Sequence, residues 1–156
     1  MQFLTFMLGG EMFAMGILAI KEIIEYSTLT EVPMMPASVR GVINLRGSVV
    51  PVVDLSVRFG RTPGAVTKRT CIVIVEITLN DTRQDVGVVV DAVNEVLEIP
   101  QDDIEPPPTF GTRIRTDFIQ GMGKINNRFV ILLEVNQVLT LDELAELADK
   151  AEASAA

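Results

Sequence analysis

The sequence predicts an all-β protein. Hydrophobic residues make up 48% of the 156 positions, which is enough for a packed core. Val and Ile dominate the apolar runs, a composition that favours strands. Pairs of turn-forming residues interrupt those runs, as at Gly9-Gly10, Arg46-Gly47 and Asn126-Asn127. Apolar runs joined by such pairs are typical of β-hairpins, and a chain of this length can fold as one domain without a disulfide or metal.

Four hairpins follow from this pattern. Their predicted strands are 3–8 with 12–15, 42–45 with 48–55, 71–79 with 86–90, and 119–125 with 129–135. The last pair flanks Asn126-Asn127, which favours a primed turn. Pro51 has no N–H to donate, so we expect it on an edge strand or at a bulge.

Three kinds of segment depart from the hairpin pattern. Residues 17–26 have apolar positions at helical spacing but β-branched composition, so we expect a bent strand with a short helical start. Residues 60–69 are polar and form a connection, and the prolines at 106–108 predict an extended loop. Thr140 to Glu143 form a capping box before an apolar stripe at helical spacing. Residues 140–156 are therefore predicted to be a short acidic C-terminal α-helix and tail.

A weak internal repeat is also visible. Residues 20–25 line up with 93–98, an offset of 93 − 20 = 73, and residues 39–55 line up with 119–135, an offset of 119 − 39 = 80. The seven-residue difference fits inside the Pro-rich loop. Strand-rich stretches resemble one another in general, but the matched Gly41/Gly121 and Asp54/Glu134 are not hydrophobic coincidences. We expect residues 1–139 to form two interlocking barrel subdomains, from repeat halves of roughly 1–65 and 70–139.

The residues that support catalysis are scarce. The chain has no histidine and one cysteine, Cys71, which we expect to be a buried strand thiol. Neither a thiolate zinc site nor a phosphate-binding glycine loop can be assembled from this sequence. We therefore expect no enzymatic activity, no metal and no cofactor. The net charge of −8 argues against nucleic acid and anionic membranes as partners. The N-terminus reads as a strand rather than a signal peptide, which together with the unpaired cysteine predicts a cytoplasmic protein.

A surface for protein partners remains. Residues 40–69 carry six cationic side chains against one acid, Asp54, a local charge of 6 − 1 = +5. This stretch either faces an acidic partner or forms solvated loops. Arg46 stands out because it lies at a predicted hairpin tip, where Gly47 supplies positive φ. The second repeat has Asn126 there, so the fold does not demand arginine. A guanidinium at a rigid tip suits a carboxylate or carbonyl groups on another protein.

Several stretches resemble CheW domains. They are Phe3-Leu-Thr-Phe-Met-Leu8, Ile20-Lys-Glu-Ile-Ile-Glu25, Arg40-Gly-Val-Ile-Asn-Leu-Arg-Gly-Ser-Val-Val-Pro-Val-Val-Asp-Leu55, Val86 to Val96, Ile119-Gln-Gly-Met-Gly123 and Val130 to Val135. The resemblance covers about residues 2–140. One departure is Glu134, where the family usually has Asp, and it keeps the charge.

This resemblance implies a fold and a role. The fold would be two five-stranded barrels of the Src-homology-3 type with a groove between them. The role would be a non-enzymatic adaptor of bacterial chemotaxis. It would couple methyl-accepting chemoreceptors to the CheA histidine kinase by binding the receptor's cytoplasmic tip and the kinase's regulatory domain. Its place would be the cytoplasm, at membrane-associated receptor arrays and without membrane insertion. The receptor-facing groove would include Ile20, Glu22, Gly41, Asn44 and Arg46, whereas kinase contacts are not assigned to residues.

Two alternatives stay open at this point. The chain can instead be a CheW-like regulatory domain cut from a histidine kinase or from a receiver-containing coupling protein. Met1 opens directly on the first strand, and neither a phosphoacceptor histidine nor an ATP motif occurs, which favours the standalone adaptor. An unrelated enzyme on a double-barrel fold is the other alternative, against which the missing histidine and phosphate loop weigh.

Overall fold

A computed structural model describes residues 1–79, 81–106 and 119–139. Within them the chain forms eleven strands and two short α-helices, so the all-β prediction is confirmed. In chain order the elements are β1 (Gln2–Leu8), β2 (Glu11–Gly16), β3 (Ile20–Glu25), β4 (Val39–Leu45), β5 (Ser48–Asp54), α1 (Leu55–Arg58), β6 (Cys71–Leu79), β7 (Thr82–Val90), β8 (Ala92–Glu98), β9 (Ile104–Glu105), β10 (Ile119–Ile125), β11 (Arg128–Leu133) and α2 (Val135–Leu139).

The strands form two sheets of the same design. Their orders are β3-β6-β7-β5-β4 and β8-β1-β2-β11-β10-β9. The sheets thus hold five and six strands where five each were predicted, and the additional strand is the two-residue β9 at one edge. In each sheet an antiparallel hairpin, β6–β7 or β1–β2, pairs in parallel with the second strand of another hairpin, β5 or β11. Equivalent register shifts occur between Val39 and Gly41 and between Ile119 and Gly121.

Each sheet takes strands from both halves of the chain. The hairpin β1–β2 joins β8 to β11, and the hairpin β6–β7 joins β3 to β5. The division into halves of roughly 1–65 and 70–139 stays a prediction about the sequence repeat. In space, the five-stranded sheet is a continuous segment, residues 20–90, that interrupts the six-stranded one.

The hairpin tips have the conformation that primed turns require. Asn126 and Asn127 have φ of 49° and 63°, and Arg46 and Gly47 have φ of 51° and 87°. Positive φ at both central positions is the mark of a type I′ turn, whose twist matches that of the strands it joins. The prediction for Asn126-Asn127 is confirmed. At the other tip positive φ was predicted for Gly47, but Arg46 adopts it as well.

Two local predictions have different outcomes. Residues 17–19 form a 3₁₀ turn that leads into β3, which confirms the bent strand with a helical start. Pro51 lies in β5, inside the sheet, and pairs with Val42 just beyond the register shift at Val39 and Gly41, so the expected position on an edge strand or at a bulge is wrong. Pro51 immediately precedes Val52–Asp54, the residues of β5 that pair with β7, so its missing N–H does not interrupt that ladder.

Three apolar clusters hold the fold together. One fills the five-stranded sheet around Ile43, Val50 and Ile72. Another fills the six-stranded sheet around Phe3 and Leu132. The third and largest lies between the sheets and combines side chains from both, including Phe6, Phe13, Val73, Val75 and Val88. Because both sheets bury apolar side chains in this shared layer, their relative position is fixed by packing.

Two further features, at the end of β5 and at the start of β6, differ from expectation. The single turn α1 was not predicted; Asp54 caps it by accepting hydrogen bonds from the backbone N–H groups of Ser56 and Val57 at 2.9 and 3.4 Å. Cys71 lies on a strand as expected but is half-buried rather than buried. The predicted helix and tail at 140–156 and most of the Pro-rich loop lie outside the described residues. None of the described helices is long and apolar enough to cross a membrane.

Candidate protein-binding site

The five-stranded sheet curls until its end strands, β3 and β4, face each other across a seam. The two strands are not neighbours in the hydrogen-bonded order of the sheet. Side chains join them instead: the Nη1 atom of Arg46, just after β4, lies 2.6 Å from the Oε2 atom of Glu22 on β3. The structure therefore brings together two of the residues predicted to bind a receptor.

Arg46 is held in an exposed and unusual position. Its side chain is 74% exposed, and its backbone is in the left-handed region, which few residues other than Gly, Asn and Asp enter. The hydrogen bond and negative charge of Glu22 raise the pKa of the Arg46 guanidinium, so this group is charged at any physiological pH. Glu22 is much less exposed than Arg46 and anchors the guanidinium against the sheet.

Asn44 shapes the hairpin tip from inside the turn. Its Oδ1 atom accepts a hydrogen bond from the backbone N–H of Gly47 at 2.8 Å. Asn44 is also paired with Val49, and residues that face each other across an antiparallel pair share a side of the sheet. Val49 is 72% exposed on this outer side. The predicted Asn44 therefore lies beside an exposed apolar side chain that sequence reasoning missed.

Gly41 is buried, and its role is to let two chain segments approach. Its φ is 157°, and a Cβ atom placed on it would lie 2.5 Å from the carbonyl oxygen of Thr30. Thr30 and the adjacent Val42 exchange backbone hydrogen bonds of 3.0 and 2.9 Å. A side chain at position 41 would separate them. The absence of a side chain at Gly41 therefore permits this close approach, and its predicted contact with a receptor stays a prediction.

Ile20 lies at the margin of the layer between the sheets. It is half-buried, packs against the shared cluster and is paired with Val75 of that cluster. Further along β3, Ile23 is paired with Val73 and lies on the same side, but it is 43% exposed. The two isoleucines make an apolar strip that starts in the core and ends in solvent. Simple alternation would place Ile23 on the opposite side from Ile20, three residues earlier, and the two share a side only because of the register shift between Ile20 and Glu22.

A partly buried polar cluster joins the two strands at the other end of the seam. Arg40 Nε lies 2.7 Å from Asp54 Oδ2, and its Nη1 donates to the hydroxyl of Tyr26 at 3.3 Å. The guanidinium also stands over the Tyr26 ring, 5.8 Å from its centroid. Burial lowers the pKa of Arg40, but the hydrogen bond to Tyr26 and the charge of Asp54 outweigh burial, and the net pKa is raised. Sequence reasoning counted Arg40 only as a positive charge.

Several cations of the basic stretch at 40–69 form ion pairs within the molecule. Arg40 pairs with Asp54 and Arg46 with Glu22. Arg61 pairs with Glu11 at 3.2 Å. These three cations have acidic partners on the same chain, so the stretch does not act as a uniform basic patch. What distinguishes Arg46 from Arg40 is its exposure, not its charge.

Comparison with known proteins identifies the family that shares this architecture. The family described as CheW-like domain matches residues 2–143. The chemotaxis protein CheW of Klebsiella aerogenes is 34% identical over 144 residues, which cover 92% of this chain and 84% of that protein. The chemotaxis protein CheW of Helicobacter pylori is 37% identical over 143 residues, covering 91% and 83%.

A solved structure agrees. The crystal structure of the scaffolding protein TtCheW from Thermoanaerobacter tengcongensis superposes with a TM-score of 0.80 at 34% identity, covering 91% of this chain and 89% of that one. The family match, the full-length relatives and the shared fold all concern the same residues as the two sheets described above. The chain belongs to the CheW family of chemotaxis scaffold proteins, which are non-enzymatic adaptors.

Proposed function

We propose that this chain couples methyl-accepting chemoreceptors to the CheA histidine kinase by binding both. The observation that carries the proposal is the Glu22–Arg46 pair on a strained, exposed hairpin tip. A left-handed backbone at a residue other than glycine is a cost, and such strain concentrates at functional sites. The second repeat has Asn126 at the equivalent tip, so the turn itself forms without arginine.

The receptor would present a helix to the five-stranded sheet. Apolar residues on one side of that helix would pack on Ile20 and Ile23, which lead from the shared core to the surface. A carboxylate or a backbone carbonyl of the helix would then reach Arg46. An amphipathic helix in a groove with a few polar anchors is a common mode of peptide recognition. Glu22 would keep the guanidinium oriented until the receptor arrives.

The predicted receptor-binding residues have two kinds of role in this proposal. Arg46, Glu22 and Ile20 would contact the receptor. Gly41 and Asn44 would instead shape the hairpin, since the first is buried and the second bonds the turn. The kinase's regulatory domain would bind elsewhere on the sheets, and receptor arrays would recruit the protein to the cytoplasmic side of the membrane.

The test is assembly of the ternary complex from purified parts. We expect the chain to form a complex with a receptor signalling-tip fragment, another with the CheA regulatory domain, and a larger complex with both, resolved by size-exclusion chromatography with light scattering. In cells, a fluorescent fusion should gather at receptor clusters and disperse in a strain without receptors. Binding to one partner that excludes the other would contradict coupling.

A further inference from the structure

Side-chain contacts join β3 to β4 at both ends of the seam, and the contact at only one end is exposed. At the exposed end, Glu22 pairs with Arg46. At the other end, Tyr26 follows β3, and Arg40 near the start of β4 reaches both it and Asp54. The Asp54 carboxylate is 3% exposed and the Arg40 side chain 19%. Between these two sets of contacts, β3 and β4 are not hydrogen-bonded as neighbouring strands.

We infer that Arg40 is a positioning residue for the receptor site, because its buried contacts set the angle at which the β4–β5 hairpin carries Arg46 across to Glu22. Arg40 is the extra residue in the register shift between Val39 and Gly41, the point where β4 bends. Arg46 lies six residues further along an extended strand, roughly 20 Å away. A small rotation at Arg40 is therefore magnified at the tip.

The cluster joins more than the two strands. One oxygen of Asp54 pairs with Arg40 while the other caps α1. Arg40 Nη2 also lies 3.4 Å from the carbonyl oxygen of Gly64, in the connection that follows α1. A guanidinium can serve these partners at once because its N–H donors are spread over three nitrogens, whereas all the donors of an ammonium group lie on one nitrogen.

The second repeat shows that the fold does not need this cluster. The positions aligned with Arg40, Tyr26 and Asp54 are Gln120, Ile99 and Glu134. The six-stranded sheet nevertheless keeps the same strand order and the same register shift. The cluster is thus present only in the repeat whose hairpin tip carries an arginine, which connects it with the site rather than with the architecture.

The test is a double-mutant cycle on receptor binding, and it rests on the proposed function. Arg40→Gln introduces the residue of the second repeat. We expect it to weaken binding of the receptor-tip fragment about fivefold, and to weaken it far less in an Arg46→Ala background, because coupled residues are not additive. Additive effects, as general loosening of the fold would give, would overturn the inference. Arg69→Gln, which removes an exposed charge nearby, should leave affinity unchanged.

Amide hydrogen exchange separates this inference from the proposed function. Arg40→Gln should accelerate exchange in residues 44–49 and leave β10 and β11 as in the unsubstituted protein. If Arg46→Ala leaves receptor affinity unchanged while Arg40→Gln still loosens the hairpin, the receptor assignment fails and the positioning effect stands. Unchanged exchange at 44–49 would end the inference. Should Arg40→Gln fail to fold, Arg40→Lys keeps the ion pair with Asp54, and the loss of the Tyr26 and Gly64 contacts should still accelerate exchange at the tip.

Discussion

Arg46 Nη1 and Glu22 Oε2 lie 2.6 Å apart although their strands are at opposite ends of the five-stranded sheet. The pair is thus a link across the seam as well as a feature of the surface. A partner that binds Arg46 must either hydrogen-bond to the guanidinium while Glu22 stays in place or displace the Glu22 carboxylate. Either route would couple binding at Arg46 to the way the sheet closes on itself.

Replacing Arg46 with alanine should weaken receptor binding and leave the fold intact. The lost interaction is a charge-assisted hydrogen bond to the partner, so we expect about tenfold lower affinity in a titration with a receptor-tip fragment. Exposed ion pairs add little to stability, and the melting temperature should stay within about 2 °C. Arg83→Ala, at another exposed arginine in a weak surface pair, is the control. Equal affinity of both variants would remove Arg46 from the site.

Replacing Gly41 with alanine should damage the fold much more than the same change at Gly47. At Gly41 the new Cβ would meet the Thr30 carbonyl oxygen at 2.5 Å, whereas nothing lies within 4 Å at Gly47. We expect a loss of about 3 kcal/mol in the free energy of unfolding for Gly41→Ala. Gly47→Ala should cost only the left-handed backbone, about 1 kcal/mol. Urea unfolding measures both, and similar losses would contradict the close approach of Thr30.

Replacing Asp54 with alanine should be one of the most destabilising single changes at a charged residue. It leaves Arg40 without its buried counter-charge and α1 without its cap, so we expect a loss of about 3 kcal/mol or more. Asp85→Ala removes a partly exposed carboxylate that pairs with Lys21 at 3.1 Å. Its urea midpoint should shift only slightly, since surface pairs contribute little. A small shift for Asp54→Ala would show that the pair is solvated.

Two substitutions on β3 separate core from surface. Ile20→Asp places a charge against the shared cluster and should destabilise the protein by about 3 kcal/mol. Ile23→Asp changes a partly exposed side chain and should cost less than about 1 kcal/mol while weakening receptor binding. Thermal melts and the receptor titration together make the test. Normal binding by Ile23→Asp would confine the apolar contact to the Ile20 end of the strip.

Cys71 should react slowly with alkylating reagents in the folded protein. Burial, and then the charge of Glu25, raise the pKa of its thiol, so less thiolate is present at a given pH than on a free cysteine. The same shift favours the protonated form in the folded state. Its contribution to stability is therefore present below the unfolded thiol pKa and is lost as pH rises through the folded value. Iodoacetamide rates at pH 7 to 9, with and without denaturant, test this, and equal rates would contradict it.

Local chemistry explains which parts of the fold could be predicted. Gly9-Gly10 and Asn126-Asn127 specify tight turns through their own backbone preferences, and the hairpins they close appear as expected. The exchange of hairpins between sheets could not be read in the same way. It depends on the parallel pairing of β5 with β7 and of β2 with β11, which joins segments distant in sequence and leaves no periodic signal.

The site was predicted in part for a similar reason. Arg46 was singled out because a lone arginine at a hairpin tip is visible in the sequence. Its pairing with Glu22, and that of Arg40 with Asp54, join residues 24 and 14 positions apart with no characteristic spacing. The helix cap at Asp54 was within reach, since an aspartate that ends a strand often caps the helix that follows. The exposure of Val49 could be predicted only with knowledge of the strand register.

The nesting of residues 20–90 inside the other sheet sets an order of events during synthesis. The β1–β2 hairpin leaves the ribosome before the inner sheet, yet its sheet partners β8 and β11 are made after that sheet. The inner sheet can close as soon as residue 90 has emerged. Phe6 and Phe13 of the β1–β2 hairpin can then pack on Val73 and Val88 of the inner sheet. The β1–β2 hairpin therefore precedes the inner sheet in synthesis but completes its strand pairing after it.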